Sequence, residues 1–394
     1  MTFDAVVIGA GPAGAVAARE LARRGCSVLL ADKAHFPRPK VCGCCINAAA
    51  AATLQRLGLG SVLAHGVPLR EVRIGAGRRS AAVKLPGGVA LSRDAFDAAL
   101  VAEAVMAGAE LREGVTAKLS SVAGVCDPGA PVRAIELRQS DFDREAPVSQ
   151  RPATESRERE RALAKVVVVA SGLTGTDAPA DAGSRIGAGV AVPRDAVPAF
   201  FAPGTIFMAT GRGGYVGLVR VEDGRLDVAA AFDVAFVKAS GGLGPAADAV
   251  LGGVGWPRVP GLAELPWKGT PALTRRAKVL AGERWFAVGD AAGYVEPFTG
   301  EGMAWAVASA AALAPIAARA VQQWTPAHAR EWEAAHRRAV GARQRTCRVV
   351  ARVLRSPLLT TVAVRALAAL PGLSRPVVAA LNRSRGPVTQ STSA

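Results

Sequence analysis

The residues Gly9-Ala10-Gly11-Pro12-Ala13-Gly14 follow an apolar run, Ala5–Ile8, and open an alanine-rich segment. In that setting the first glycine allows a tight turn. The second lets a pyrophosphate reach the backbone, and the third lets a helix lie close on the strand. Unpaired N–H groups at the helix start, around Pro12 and Ala13, carry partial positive charge toward the phosphates. Asp32 stands eighteen residues after Gly14, at the end of a second apolar run, Ser27–Ala31. A carboxylate there can accept from ribose hydroxyls, with Lys33 beside it. The glycines alone would mark only a turn. Strand, helix, strand and acid in register predict dinucleotide binding.

A second constellation lies nearly 280 residues further on. Gly289-Asp290-Ala291-Ala292-Gly293 follows the apolar run Arg284–Val288 and precedes Tyr294-Val295-Glu296-Pro297-Phe298-Thr299-Gly300-Glu301-Gly302-Met303. A strand here delivers an aspartate beside a loop of little bulk, where it can accept from a polyol. The next helix begins close by, and its N-terminus would favour negative charge on a reduced ring.

Together these segments resemble the FAD-dependent oxidoreductases of the p-hydroxybenzoate-hydroxylase type, and within them the geranylgeranyl reductase branch. The resemblance covers about residues 1–310. It also rests on Phe36-Pro37-Arg38-Pro39-Lys40-Val41-Cys42-Gly43 and Ser92-Arg93-Asp94-Ala95-Phe96-Asp97. It implies that Asp290 meets the ribityl chain, that Pro297, Gly300 and Gly302 lie by the isoalloxazine, and that Arg93 sits near the cofactor. Arg38, Cys42, Gly43, Gly172, Gly289, Glu301 and Met303 complete the expected cofactor side. The chain departs from the family at Ala170-Ser171-Gly172, where Ala-Asp-Gly is usual. Ser171 cannot supply that negative charge.

The branch rests on Cys42-Gly43 and Thr299-Gly300-Glu301-Gly302, and on the lack of the Trp-x-Trp-x-Ile-Pro segment usual in flavin halogenases. The expected reaction is reduction of a carbon–carbon double bond in a hydrophobic, isoprenoid-like substrate by hydride from reduced FAD. With no second full glycine fingerprint, NAD(P)H would dock transiently, or a separate reductase or ferredoxin would supply electrons. Two alternatives stand. One is an FAD monooxygenase or halogenase-like enzyme acting through a flavin hydroperoxide. The other is a non-catalytic, membrane-associated flavin-binding protein.

Cys42 and Tyr215 are the candidate catalytic residues. Cys42 could shape the flavin-facing pocket or relay a proton; equally it could be a small buried loop residue. Tyr215, in Arg212-Gly213-Gly214-Tyr215-Val216-Gly217, could orient or protonate a substrate or simply pack. Glu301 reads as a general acid or as a carboxylate at a helix start. Cys42, Cys44 and Cys45 crowd into four positions, but no second ligand pair lies at usable spacing, so no metal is expected.

The elements expected to position these residues are an α/β arrangement. A three-layer, Rossmann-like FAD-binding domain (1–65, 92–184, 276–318) is interleaved with a β-sheet substrate domain (66–91, 185–275). A helical basic region (319–394) follows. Pro12–Arg24 reads as a helix closed by Gly25, and Lys165–Ala170 as a buried strand. Residues 185–275 read as strands, and Arg330–Leu354 as one basic amphipathic helix. The polar stretch Ser140–Arg161 reads as an exposed insertion in a hairpin.

Composition bounds the rest. The 394 residues are half hydrophobic and carry a net charge of +16. The stretch Arg319–Arg385 holds thirteen arginines against Glu331 and Glu333, a local +11. Nothing resembling a nucleic-acid motif accompanies it, so no nucleic-acid partner is expected. A solvated face, an anionic membrane surface flanked by Pro357–Val364 and Ala366–Leu373, or a carrier or reductase protein are its readings. Six cysteines in such a chain are no disulfide framework, and it enters a strand directly after Met-Thr-Phe-Asp. A cytoplasmic protein is therefore expected, peripheral to the inner face of a membrane if the basic region binds lipid. Gly302–Ala318, seventeen uncharged residues, falls short of a membrane span.

Overall fold

The computed structural model describes residues 1–119, 132–140, 160–174, 178–296, 298 and 300–382. Strand Thr2–Ile8 lies at the centre of the first sheet, parallel to Val28–Ala31 on one side and Glu160–Val169 on the other. Glu110–Arg112 and Trp285–Ala287 extend it in parallel at either end, and Ala281–Gly282 caps the latter edge. Runs such as Val166–Val168 are fully buried, as a parallel sheet covered on both faces requires. Arg133–Gln139 and Val115–Leu119 add an antiparallel pair beside Glu160–Val169. Of the expected polar insertion, residues 141–159 lie outside the described residues. Its end, Glu160–Arg161, begins the long strand instead.

Helix Pro12–Ala22 packs on this sheet with Glu301–Gln322 beside it. The first ends two residues earlier than the sequence implied, and the chain turns through Gly25 at φ +82°. The second runs 22 residues with a mean hydropathy of 1.5, long and apolar enough to cross a membrane on those grounds. Two-thirds of that apolar window is buried in the protein, which makes it a core helix.

The second sheet runs in the order Lys268–Ala272, Ile186–Val192, Leu226–Phe232, Gly214–Arg220, Thr205–Gly211, Glu71–Ala76, Arg79–Lys84. Its side chains alternate between two faces. Phe207, Ala209, Val216, Leu218, Val228 and Phe232 face a core shared with helix Leu243–Val254. Ile206, Met208, Tyr215 and Ala231 face the other way. Within 185–275, helices Val234–Ser240 and Leu243–Val254 correct the all-strand expectation. Ala246, Val250 and Val254 recur every fourth residue, a helical stripe that glycines and short side chains obscured.

The expected basic helix is present and continuous from Pro326 to Leu354, with one π-helical turn, Arg337–Gly341, inside it. Thr325 caps it, so it starts four residues before the expected Arg330. Helix Pro357–Ala369 then lies against the edge strand Arg79–Lys84 through Val364, Ala76 and Ala81.

The third fingerprint glycine has a steric test. A Cβ on Gly14 would stand 1.8 Å from the Gly9 carbonyl oxygen, whereas one on Gly25 would meet nothing within 4 Å. Gly14→Ala should therefore cost at least about 3 kcal/mol of unfolding free energy in urea. Gly25→Ala should cost only about 1–2 kcal/mol for its left-handed backbone. Equal losses would show that the helix is not held against the strand at Gly14.

Candidate active site

The carboxyl ends of the central strands converge where the fingerprint turn begins. Gly9 N–H donates to Ala31 O (2.7 Å), Ala170 N–H to Ile8 O (2.8 Å) and Val288 N–H to Val169 O (3.0 Å). Gly289, at φ +60°, brings its loop against the first helix, since a Cβ there would lie 2.8 Å from Ala13 Cβ. Its N–H is held by Ser309 Oγ (3.0 Å) on the long helix. Two glycine loops far apart in sequence thus meet across one helix.

Asp32 is buried and accepts from Ala10 N–H (2.7 Å) and Ala34 N–H (2.9 Å). Its carboxylate therefore shapes the turn as well as lining the cavity. Arg93 forms a bidentate pair with the fully buried Asp97 (2.7 and 2.6 Å). Arg38 lies 3.7 Å from both Asp32 and Asp97. Both guanidiniums overhang the turn: a Cβ on Gly11 would be 3.8 Å from Arg38 and 3.9 Å from Arg93. Lys40 sits at the cavity's edge, its ammonium 3.4 Å from where a Gly172 Cβ would be. Enclosure by the surrounding protein, then Arg93, lowers its pKa. Burial raises that of Asp290, against Lys40 and Arg93.

These groups line one cavity of about 1460 Å³, larger than a single small-molecule site of about 300–1,000 Å³. Gly9, Gly11, Pro12, Ala13, Lys33, Cys42, Gly43, Gly172, Gly289, Gly300, Glu301, Gly302, Met303 and Tyr215 line it too. Gly14 does not; it serves the packing behind the turn. Pro297 lies outside the described residues. Two buried polar atoms at the cavity wall, Ser171 Oγ and Arg38 Nε, have no hydrogen-bond partner among the described residues. A phosphate cradle, overhanging guanidiniums and unpartnered donors fit a large anionic dinucleotide.

Residues 2–125 match the FAD binding domain family. The menaquinone reductase of Mycobacterium tuberculosis is 45% identical over 84 residues, 21% of each chain. Digeranylgeranylglycerophospholipid reductase 1 of Methanopyrus kandleri is 40% identical over 115 residues, 28% of this chain and 29% of that protein. The matched stretches thus span between a fifth and a third of these relatives. Among solved structures, a geranylgeranyl bacteriochlorophyll reductase-like protein from Thermoplasma acidophilum superposes with a TM-score of 0.74. It is 20% identical, over 96% of this chain and 95% of that one. A p-nitrophenol 4-monooxygenase from Pseudomonas putida reaches 0.71 at 15% identity, over 98% and 100%.

Residues 2–125 thus carry an FAD binding domain, and the chain as a whole shares the fold of these solved structures.

Several further groups at the cavity have unusual proton affinities. Cys42 is held down to about 6 by a hydrogen bond from the Cys44 thiol, with Arg93 adding to it against burial. Cys44, as donor, is pushed up, and burial pushes Cys45 up. At neutral pH Cys42 is therefore mainly a thiolate, a nucleophile and not a ready proton donor. Its half-exposed position between buried neighbours is set by the loop. Tyr215 is the opposite case. Burial first, then the Glu296 carboxylate, raises its pKa well above the usual value. Its ring meets Phe298 edge-on at 5.1 Å.

Sequence reasoning missed the groups behind Tyr215. Arg185 is almost wholly buried and pairs with Glu296 (3.1 Å) and Asp233 (3.2 Å). Arg355, on the basic C-terminal region, reaches within 3.8 Å of Glu296. Their only sequence signal was a lone arginine and a lone glutamate in apolar surroundings.

Glu301 is completely buried, with Asn47 Nδ2 donating to Oε1 (2.5 Å). Burial raises its pKa from 4.5 to about 7, which Arg343 and Asn47 only partly oppose.

Two measurements follow from these states. Labelling of the Cys42 peptide by iodoacetamide should reach half its plateau rate near pH 6; a midpoint near about 8.5 would mark an ordinary thiol. For Glu301 the folded state keeps a proton that the unfolded chain loses above pH 4.5. That stability is fully present below 4.5 and lost as pH rises through about 7. Glu301→Gln should therefore gain up to about 3 kcal/mol over the parent between pH 4.5 and pH 8 in urea unfolding. A difference independent of pH would refute the buried, protonated carboxyl.

Proposed function

We propose that this flavoprotein reduces a carbon–carbon double bond in a long, hydrophobic, isoprenoid-like substrate. The observation that carries the reading is the shape of the cavity. From the fingerprint turn it continues under the second sheet to the C-terminal helices, lined by Ile74, Ile206, Met208, Leu273, Val353 and Leu367. Small residues, Gly187, Gly217, Ala229 and Ala231, keep the sheet's surface open. A long apolar tunnel suits an extended chain better than a compact aromatic ring. The two relatives named as reductases support it over the stretches they share with this chain.

When bound, FAD would supply a hydride after reduction by hydride from NAD(P)H, or by two electrons from a separate reductase or ferredoxin together with protons from solvent. Gly9, Gly11, the start of the first helix, Arg38 and Arg93 would hold the pyrophosphate. Asp32 and Lys33 would meet the ribose, Asp290 the ribityl chain, and Gly300, Gly302 and Met303 the ring. Tyr215 carries the proton the reduction consumes, since it stays protonated at neutral pH and lines the apolar end of the site. Arg185 would hold Glu296 in place, and Glu296 could return a proton to that hydroxyl. The apolar walls exclude water.

Purified protein, reduced anaerobically and mixed with polyprenyl quinones or polyprenyl alcohols, should yield products heavier by two hydrogens. Tyr215→Phe should lower kcat by about 100-fold with bound flavin retained. Asp290→Ala should empty the protein of flavin. Oxygenated products labelled from ¹⁸O₂, with no reduced product, would replace the reductase reading with a monooxygenase.

A further inference from the structure

We propose that the C-terminal helices form a docking face for an anionic lipid bilayer, and that the apolar end of the cavity opens onto that face. Seven of the thirteen strongly exposed large apolar side chains among the described residues fall within residues 349–377. Exposure runs from 43% at Val377 to 81% at Leu358. The other six, Val105 and Met106 adjacent among them, are scattered along the rest of the chain in no comparable group. Leu358, Leu359 and Val362 project from helix Pro357–Ala369, whose opposite face holds Val364 against the second sheet. The helix is thus anchored on one side and apolar on the other.

Val349, Leu373 and Val377 join this patch to the cavity. Each is exposed at the surface, and each also lines the interior. The apolar surface and the apolar tunnel are therefore continuous through three side chains.

Charge identifies the occupant. No aspartate or glutamate follows Glu333 in the sequence. Arg345, Arg352, Arg365 and Arg375 are exposed, and none pairs with a carboxylate among the described residues. Exposed apolar side chains interspersed along the same segment with arginines that pair with no carboxylate among the described residues match the two parts of an anionic membrane surface: acyl chains below, phosphates above. A soluble acidic protein would pair with the arginines but would leave the apolar patch without an equivalent partner. Docking this way would let an apolar substrate pass from the bilayer into the tunnel without crossing water, which is the point at which the inference rests on the proposed reaction.

The test needs no turnover. Full-length, FAD-loaded protein is sedimented with phosphatidylcholine vesicles, with or without about 30 mol% phosphatidylglycerol. The protein should pellet with the anionic vesicles, and less so as salt is raised. Leu358→Asp with Leu359→Asp and Val362→Asp alters only exposed positions and should keep the flavin spectrum and melting temperature. It should weaken anionic-vesicle binding by at least about tenfold. Arg352→Gln with Arg365→Gln and Arg375→Gln should abolish the preference for phosphatidylglycerol. Protein that stays in the supernatant with every vesicle overturns the proposal, as does the aspartate variant binding as tightly as the parent; capture by a soluble partner in place of vesicles would do the same. Vesicle binding that persists while no polyprenyl substrate is reduced counts against the proposed reaction and leaves the docking face in place.

Discussion

The close approach of one helix to two glycine turns governs the site. Gly9 and Gly14 let Pro12–Ala22 settle onto the central strand with no side chain between them, and Gly289 brings the second loop to Ala13. Packing this tight has no slack, so a single methyl group at Gly14 displaces the backbone. From it follow the aim of the helix N-terminus, the position of Asp290 and the overhang of Arg38 and Arg93. The polar half of the cavity is thus a consequence of contacts between the smallest residues in the chain.

The two halves of the cavity handle charge in opposite ways. At the fingerprint end, positive groups outweigh their partners and leave donors unpaired, a setting prepared for anionic phosphates. At the sheet end, Arg185 and Arg355 balance Glu296 and Asp233 behind the wall, so the surface in front remains apolar apart from the Tyr215 hydroxyl. Buried pairs of this kind are poor sources of stability but hold geometry when complete. Arg355 links that cluster to the C-terminal helices, so the region that closes the tunnel also touches the groups behind Tyr215.

Much of this was legible from local pattern. The first βαβ unit, both glycine loops and the buried valine strand are written in short windows, because turn chemistry and parallel-strand burial leave local marks. Helix Leu243–Val254 was not legible, because its stripe is made of alanine and valine between glycines. Nor was the π-helical turn at Arg337–Gly341, since it leaves the polar and apolar spacing nearly intact within one continuous helix. Cys42 was recognised by motif, but its thiolate character depends on Cys44 and on Arg93, a residue fifty positions away.

By itself the sequence determined that a dinucleotide-binding unit begins the chain, that a second glycine loop completes it, and that a basic, acid-free tail ends it. These are properties of residue type and spacing, and they survive without knowledge of contacts. Only the tertiary structure decided that the polar turn and an apolar tunnel are one space, that Tyr215 holds its proton against Glu296, and that the arginine-rich tail carries its apolar side chains at the tunnel's mouth. Each of these depends on segments more than fifty residues apart coming within a few ångströms. Burial, which sets both the proton affinities and the direction a side chain faces, exists only once they have done so.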